Sequence, residues 1–161
     1  MASTDADVFL AVCDPEHFEQ TVVTPIAMSE YPDHPTDLDG EVRLWRVTAG
    51  DQNRSHFEKM DAGDVVLFYC DGAFVGTGLV DETLEDDDGW ASETFWDGTS
   101  APMLYTVRDF AAVSVPRAAV NRIFEYSESY TPHGLLRVAE SRLTNDPQAI
   151  KLAVERYDDK H

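Results

Sequence analysis

The spacing of apolar and polar residues changes several times along the chain. This pattern predicts a fold with more strands than helices. Short apolar runs are typical of buried strands, and strict alternation is typical of a strand with two unlike faces. The pair Asp71-Gly72 predicts a tight hairpin between two such runs. The predicted strands cover residues 7–13, 41–48, 65–69, 73–80, 103–107 and 110–115.

Helix signals fall between and after these strands. Asp14 is a candidate N-cap, and Pro15 suits the first position of a short helix that reaches Val22. Further helices are predicted over residues 51–60, 116–124 and 148–156, and polar loops over residues 31–40 and 81–89. No repeat or linker divides the chain. We therefore expect residues 1–161 to form a single α+β domain, a small curved or barrel-like mixed sheet flanked by helices.

Composition narrows the class of protein. The 161 residues include 43% hydrophobic residues, which is enough for a packed core. No apolar run approaches the roughly 18 residues that cross a bilayer, and the acidic start lacks the basic flank of a signal peptide. Two cysteines are too few for a disulfide framework. These features predict a cytoplasmic protein without a membrane partner.

The charge is unusual in amount and in distribution. The chain has 31 acidic and 12 basic residues, a net charge of -19, with 19 aspartates and only three lysines. Such a surface suits molar salt, where the Debye length falls to about 3 Å, so we predict a halophilic source such as a halophilic archaeon. An acidic interaction protein from an ordinary cell is the alternative. Residues 41–60 and 101–145 do not share this excess of acidic residues, since each segment has one more basic than acidic residue. Their arginines either meet an anion or pair with neighbouring acids.

Several segments resemble motifs of phosphate, metal or catalytic sites but lack the residues that these motifs require. The glycine-rich residues 72–78 lack the Lys-Ser/Thr of a phosphate loop. The run Asp86-Asp87-Asp88-Gly89 lacks acids at the first and last positions of a calcium loop, so these aspartates are interpreted as solvated. The histidines have no metal-site spacing, and no catalytic constellation is present. We therefore expect a non-enzyme without metal or cofactor.

Three tryptophans with polar neighbours in the sequence are the remaining indication of a binding site. Trp45 lies on a predicted strand between Arg43 and Arg46, and Trp90 and Trp96 bracket a short segment after the acidic loop. An indole beside polar residues either completes the core or binds something. Two or three facing indoles would form a slot for a flat or methylated group.

The order of these segments resembles the PUA-like superfamily, and within it the YTH and EVE branch of modified-base binders. The resemblance extends over most of residues 8–138. Its segments are residues 44–48 (LWRVT), 62–69 (AGDVVLFY), 74–80 (FVGTGLV), 90–96 (WASETFW), 103–107 (MLYTV) and 130–134 (YTPHG). The resemblance implies a protein that binds RNA or DNA by taking one extruded modified base, such as N6-methyladenine or a modified cytosine, into an aromatic cage.

The resemblance also implies roles for individual residues. Trp45 matches the first tryptophan of the cage, and Trp90 and Trp96 match its second aromatic segment, with the choice between these two left open. Family members place base-edge contacts where this chain has Cys13, Asp14 and His17. Together, the residues expected to contact the base edge or phosphates are Cys13, Asp14, His17, Arg46, Asn53, Arg54 and His133. In the late loop, Arg137 is an alternative to His133. Trp45→Ala is expected to abolish binding without unfolding the domain.

Two other functions stay open. ASCH-like relatives on the same fold suggest hydrolysis of a modified nucleoside, which needs a polar group such as Lys59 or Glu93 pointing into the cage. A protein adaptor whose tryptophans insert into a partner is the third possibility. The chain has no motor or nuclease module, so any cleavage of a bound nucleic acid would need a separate restriction or effector protein.

Overall fold

The computed structural model describes residues 6–35, 38–98, 101–127, 129–132, 134–143 and 145–160, without the side chains of 158–160. Within these ranges there are seven strands and five α-helices. Those predicted from the sequence occur in the predicted order, but the strands Ile26–Ala27 and Leu135–Arg137 and the helix Trp90–Phe95 were not predicted, because elements this short leave little periodic pattern. The strands are β1 (Val8–Val12), β2 (Ile26–Ala27), β3 (Glu41–Val47), β4 (Val65–Cys70), β5 (Ala73–Glu85), β6 (Met103–Pro116) and β7 (Leu135–Arg137). The helices are α1 (Pro15–Phe18), α2 (Asp51–Phe57), α3 (Trp90–Phe95), α4 (Arg117–Ile123) and α5 (Pro147–Lys160). A π-helical turn, Glu19–Val23, continues α1, and 3₁₀ turns cover Met28–Glu30 and Glu140–Arg142.

The strands form one mixed sheet in the order β2-β3-β6-β5-β4-β1-β7. Only β1 and β4 run parallel among the described pairs, with Val8 opposite Val65 and Val12 opposite Tyr69. The predicted α+β class and mixed, helix-flanked sheet are confirmed. Although it is curved, the sheet does not close into a barrel, because its described edge strands β2 and β7 do not pair with each other.

Both faces of the sheet are covered, which explains why its central strands are apolar along their whole length. On β1, Phe9 and Ala11 face one hydrophobic cluster, while Val8 and Leu10 face the other. Side chains from α1 and α3 complete the first cluster, and side chains from α4 and α5 complete the second. The tryptophans lie on the side of α1 and α3.

Two strands are longer than predicted. β5 continues to Glu85 through residues expected to be loop, because Leu84 turns inward and pairs with Leu104 of β6. β6 is one strand where two were predicted. The polar pair Arg108-Asp109 resembles a turn, but Asp109 adopts a left-handed φ of 52° in a region where the register between β5 and β6 shifts. Bulges of this kind bend a sheet without ending its strands.

The long helix α5 is fixed to the sheet by a polar contact. Glu155 accepts hydrogen bonds from Thr77 Oγ1 at 2.5 Å and from Lys151 Nζ at 2.7 Å. Burial alone would raise the pKa of Glu155, but these two hydrogen bonds outweigh it and hold the pKa below its ordinary value.

Candidate functional site

A cavity of about 340 Å³ lies between the end of β1, the end of β3 and the start of β7. β1 and β3 are separated by three strands within the sheet, so only strong curvature brings their ends together. The lining residues are Ala11, Val12, Cys13, Asp14, Trp45, Arg46, Val47, Thr48, Gly134 and Leu135. Asp14 and Arg46 are the charged members of this set. The cavity therefore combines an aromatic wall with one anionic and one cationic group.

Trp45 and Trp96 are in contact beside this cavity, but they meet edge-on and are deeply buried, so they do not form the open slot of facing indoles that the sequence suggested. Their ring centroids lie 5.8 Å apart with an angle of 70° between the planes. Trp45 is 1% exposed and Trp96 is fully buried. Trp45 lines the cavity, and Phe18 packs edge-on against it at 5.9 Å. The indole pair is therefore part of the core and only borders the cavity through Trp45.

Trp90 lies one ring away from this pair, because Phe95 packs against both Trp90 and, at 6.1 Å, Trp96. Its ring packs against Tyr31 at 6.4 Å and Phe95 at 5.4 Å, both nearly perpendicular. Of the two tryptophans left open by the sequence, Trp96 is the one beside Trp45. The predicted trio is thus a pair, because the helix α3 turns Trp90 and Trp96 toward different neighbours.

The position of α3 depends on a buried aspartate. Asp86 accepts hydrogen bonds from the backbone N–H groups of Trp90 at 3.1 Å and Ala91 at 2.9 Å, which is the role of an N-terminal cap. Asp87 and Asp88 are exposed. The interpretation of this acidic run as solvated is right for Asp87 and Asp88 and wrong for Asp86, which is only 6% exposed.

The guanidinium of Arg46 stands over both indoles. It lies 4.6 Å from the ring centroid of Trp45 and 5.3 Å from that of Trp96. Its Nη1 is 2.7 Å from Nδ1 of His17. Burial lowers the pKa of Arg46, while the nearby carboxylate of Asp14 acts in the opposite direction. Arg46 is therefore a cation stacked on the proposed cage and held there by hydrogen bonding.

His17 links this arginine to two carboxylates. Nδ1 of His17 can accept from the guanidinium when the ring proton is on Nε2, and it can donate to the carboxylate of Asp14 when it carries a proton. Nε2 faces Oδ2 of Asp97 at 3.5 Å, and Oδ2 of Asp14 lies 3.3 Å from Nδ1. Asp14 also caps α1 by accepting from the backbone N–H of His17. His17, Asp14 and Arg46, all predicted site residues, thus lie in one polar cluster at the cavity.

Cys13 lines the cavity as a neutral thiol. Burial raises the pKa of Cys13 well above its ordinary range, and its Sγ donates to the carbonyl of Tyr69 at 3.4 Å. A nucleophilic cysteine needs the opposite shift. Cys13 therefore provides a small apolar wall and no reactive group.

Asn53 has a supporting position behind the cavity. Its Nδ2 donates to the carbonyl and Oγ1 of Thr48 at 3.1 and 3.0 Å, and its Oδ1 accepts from the backbone N–H of Leu135 at 3.2 Å. Thr48 and Leu135 belong to opposite walls of the cavity. Asn53 therefore braces the space between β3 and β7, where strand pairing is absent among the described residues.

The remaining predicted contacts lie elsewhere. Arg54 pairs with Glu85 at 2.9 Å on the surface and does not line the cavity. Arg137 pairs with Asp7 at 3.1 Å. His133 lies outside the described residues. The groups suggested for hydrolysis, Lys59 and Glu93, are exposed and outside the cavity lining.

Six residues that line the cavity were not among the predicted site residues: Ala11, Val12, Val47, Thr48, Gly134 and Leu135. Thr48 directly follows β3, the strand that carries Trp45, so its place could have been inferred from that strand. Leu135 could not, because its place depends on the pairing of β7 with β1. Throughout the described part of the chain, no three His, Cys, Asp or Glu side chains are grouped to hold a metal ion, and no helix is long and apolar enough to cross a membrane.

Comparison with protein-family models and with curated protein sequences finds no match. Solved structures do match. The N-terminal domain of Thermococcus gammatolerans McrB bound to m5C DNA superposes with a TM-score of 0.71 at 19% identity, over 92% of this chain and 99% of that chain. The YTH domain of the Zygosaccharomyces rouxii MRB1 protein in complex with N6-methyladenosine RNA gives 0.55 at 14% identity, over 91% and 87%. ASCH from Zymomonas mobilis gives 0.52 at 10% identity, over 92% and 95%.

At these low identities, the superpositions show a shared fold alone. The chain has a PUA-like fold, as its segment order predicted, with a mixed seven-stranded sheet and an aromatic pair beside a cavity.

Proposed function

We propose that this protein binds nucleic acid that carries a modified base, and that the base leaves its strand to enter the cavity beside Trp45. The observation that carries the proposal is the convergence of Trp45, the Arg46 guanidinium and the Asp14 carboxylate at one cavity, with His17 in contact with both charged groups. Two structures of the same fold, one bound to m5C DNA and one in complex with N6-methyladenosine RNA, support it.

The energies of such binding are compatible with the site. Extruding a base costs a few kcal/mol. Stacking on an indole returns about 1–3 kcal/mol, and burying a methyl group adds about 0.8 kcal/mol. Hydrogen bonds to the edge of the base then decide selectivity, because a buried donor or acceptor without a partner is costly. In this proposal, Asp14 in the cavity lining and His17 beside it form these hydrogen bonds.

Charge favours stacking over phosphate contacts as the source of affinity. With a net charge of -19, the protein repels a nucleic acid at long range unless salt screens the charges. Contacts between arginine and phosphate also weaken as salt rises. A salt-adapted binder of this kind would depend on shape and stacking, which is the chemistry that the cavity offers.

We do not extend the proposal to hydrolysis. The groups suggested for that reaction, Lys59 and Glu93, are exposed and do not line the cavity, and burial raises the pKa of the Cys13 thiol well above its ordinary range. Cleavage of the bound nucleic acid would be the task of a separate effector protein.

The test is a binding screen by fluorescence anisotropy in about 1 M potassium chloride, where nonspecific charge effects are screened. Labelled single- and double-stranded DNA and RNA would each be compared with and without N6-methyladenine, 5-methylcytosine and N4-methylcytosine in one sequence context. We expect at least one modified oligonucleotide to bind about tenfold or more tightly than its unmodified partner. Equal binding of every modified and unmodified pair would refute the proposal.

A further inference from the structure

His17 has two charged partners at one ring nitrogen. Its Nδ1 lies 2.7 Å from Nη1 of Arg46 and 3.3 Å from Oδ2 of Asp14. Its Nε2 lies 3.5 Å from Oδ2 of Asp97, the residue that follows Trp96. In the described part of the chain, these three groups are the charged neighbours of a side chain that is 14% exposed. The ring is therefore enclosed between one cation and two anions.

The two contacts of Nδ1 need different protonation states. A guanidinium has only donors, so Nδ1 can accept from Arg46 only when it carries no proton. An ionised carboxylate has only acceptors, so Nδ1 can donate to Asp14 only when it carries one. One nitrogen cannot form both hydrogen bonds, and the protonation of the ring therefore decides between them.

Asp97 determines which neutral form of the ring fits. An ionised carboxylate that faces Nε2 favours the proton on that nitrogen, which leaves the lone pair on Nδ1 for Arg46. When the ring binds a second proton, Nδ1 donates to Asp14 while Nε2 still faces Asp97. The ring is then a cation beside the guanidinium, and the repulsion and the lost acceptor together break the contact with Arg46.

Arg46 is the partner that has room to move. Asp14 accepts from the backbone N–H of His17 as the cap of α1, so it keeps its position at the start of that helix. Arg46 lines the cavity of about 340 Å³, and its guanidinium lies over the rings of Trp45 and Trp96. Loss of the contact with His17 therefore leaves guanidinium donors at the cavity that a ligand can use.

We propose that His17 is a positioning residue for Arg46, and that the protonation of its ring decides whether the guanidinium is held or is available to a ligand in the cavity. With a neutral ring, Nδ1 holds the guanidinium. With a protonated ring, Asp14 takes the Nδ1 proton, and the donors of Arg46 can bind a carbonyl or a phosphate oxygen. The consequence for nucleic acid rests on the proposed function, whereas the exchange of partners does not.

The first test uses the free protein and no ligand. NMR of the side-chain nitrogens would follow His17 and Arg46 from about pH 8 to about pH 5, the range in which histidine changes its charge. We expect a ring proton on Nε2 at about pH 8, protons on both nitrogens at about pH 5, and guanidinium signals that shift with the same midpoint. A ring proton on Nδ1 at about pH 8, or guanidinium signals that stay constant while the ring titrates, would overturn the inference.

His17→Gln keeps an acceptor but removes the titrating group. Its side-chain oxygen can accept from Arg46 at every pH, so the guanidinium signals should no longer shift between about pH 8 and about pH 5. His56→Gln is the matched control, because His56 accepts from the backbone N–H of Arg137 and does not line the cavity. Its guanidinium response should equal that of the wild type. A shift that persists in His17→Gln, or that is lost in His56→Gln, would refute the role of His17.

The second test measures binding of the best modified oligonucleotide by fluorescence anisotropy in about 1 M potassium chloride. From about pH 8 to about pH 5.5, the Kd of the wild type should fall about threefold or more, because a charge-assisted donor becomes available, and that of His17→Gln should change less than about twofold. If the guanidinium signals follow His17 but no modified oligonucleotide binds, the proposed function is wrong and the exchange of partners stands. Binding with the same pH dependence in the wild type and in His17→Gln refutes this inference alone.

Discussion

Replacing Trp45 with phenylalanine is the sharpest test of the aromatic wall, and the burial of Trp45 sets the size of the effect. Trp45→Ala, expected from the sequence to leave the fold intact, removes a side chain that is only 1% exposed. Truncating a buried tryptophan costs about 3–5 kcal/mol. A domain of this size has about 5–15 kcal/mol of stability in total, so the alanine variant confounds lost binding with lost structure.

Trp45→Phe separates the two effects. The smaller ring gives up on the order of 50 Å² of buried apolar surface, which corresponds to about 1.3 kcal/mol of stability at about 25 cal/mol per Å². Phenylalanine also stacks less well on a base, and we estimate a loss of about 1 kcal/mol, or about fivefold in Kd, from the range for stacking. Denaturant unfolding measures the first quantity, and anisotropy with the best modified oligonucleotide in about 1 M potassium chloride measures the second.

Trp90→Phe is the matched control. It makes the same chemical change in the neighbouring aromatic group, where Trp90 packs on Tyr31 and Phe95 outside the cavity lining. We expect its Kd to stay within about twofold of the wild type. An equal loss of binding in both variants, or unchanged binding in Trp45→Phe despite its lower stability, would refute the assignment of Trp45 to the binding wall.

Three further predictions concern the support of the site and the sheet. Gly134→Ala should destabilise the domain by about 1–3 kcal/mol more than Gly40→Ala, as measured by urea unfolding. Both glycines have a left-handed φ (+59° and +69°), but only a Cβ added at position 134 would meet a side-chain oxygen, at 2.6 Å. Equal losses of stability in the two variants would contradict this. Asp86→Ala should cost about 1–2 kcal/mol as a lost helix cap, and Asp87→Ala less than about 0.5 kcal/mol; similar melting temperatures for the two would show that the cap is unimportant. Glu155→Gln should cost about 1 kcal/mol at neutral pH. The pKa of Glu155 in the folded protein lies below its ordinary value of 4.5, so the extra stability of the wild type over the variant is present above that pH and disappears as pH falls through the folded pKa. A stability difference that grows on acidification would refute this.

Much of the local structure followed from the sequence because its signals are short in range. Alternation placed β3, the apolar run placed β4, and Asp71-Gly72 placed the hairpin, where both residues have positive φ. The extensions of β5 and β6 were missed. Their polar residues read as loop, and only pairing with each other, over a connection that contains α3, keeps them extended.

The grouping of the candidate site residues could be predicted in part for the same reason. Trp45, Asp14, His17, Arg46 and Cys13 were expected near one another, and all of them lie in or beside the cavity cluster. The halophilic source and the cytoplasmic location stay predictions from composition.

The sequence by itself determined where β1, β3, β4 and the first parts of β5 and β6 form, where α1, α2, α4 and α5 begin to within a residue, and which aromatic and charged groups could take part in binding. Each of these depends on neighbours within a few positions. Only the tertiary structure decided that Trp96 faces Trp45, that Asn53 braces the two walls, and that Arg46 lies over the indoles. The physical reason is that these contacts form across a curved sheet, where residues far apart in the chain meet and an arginine is long enough to reach a ring beside its own strand.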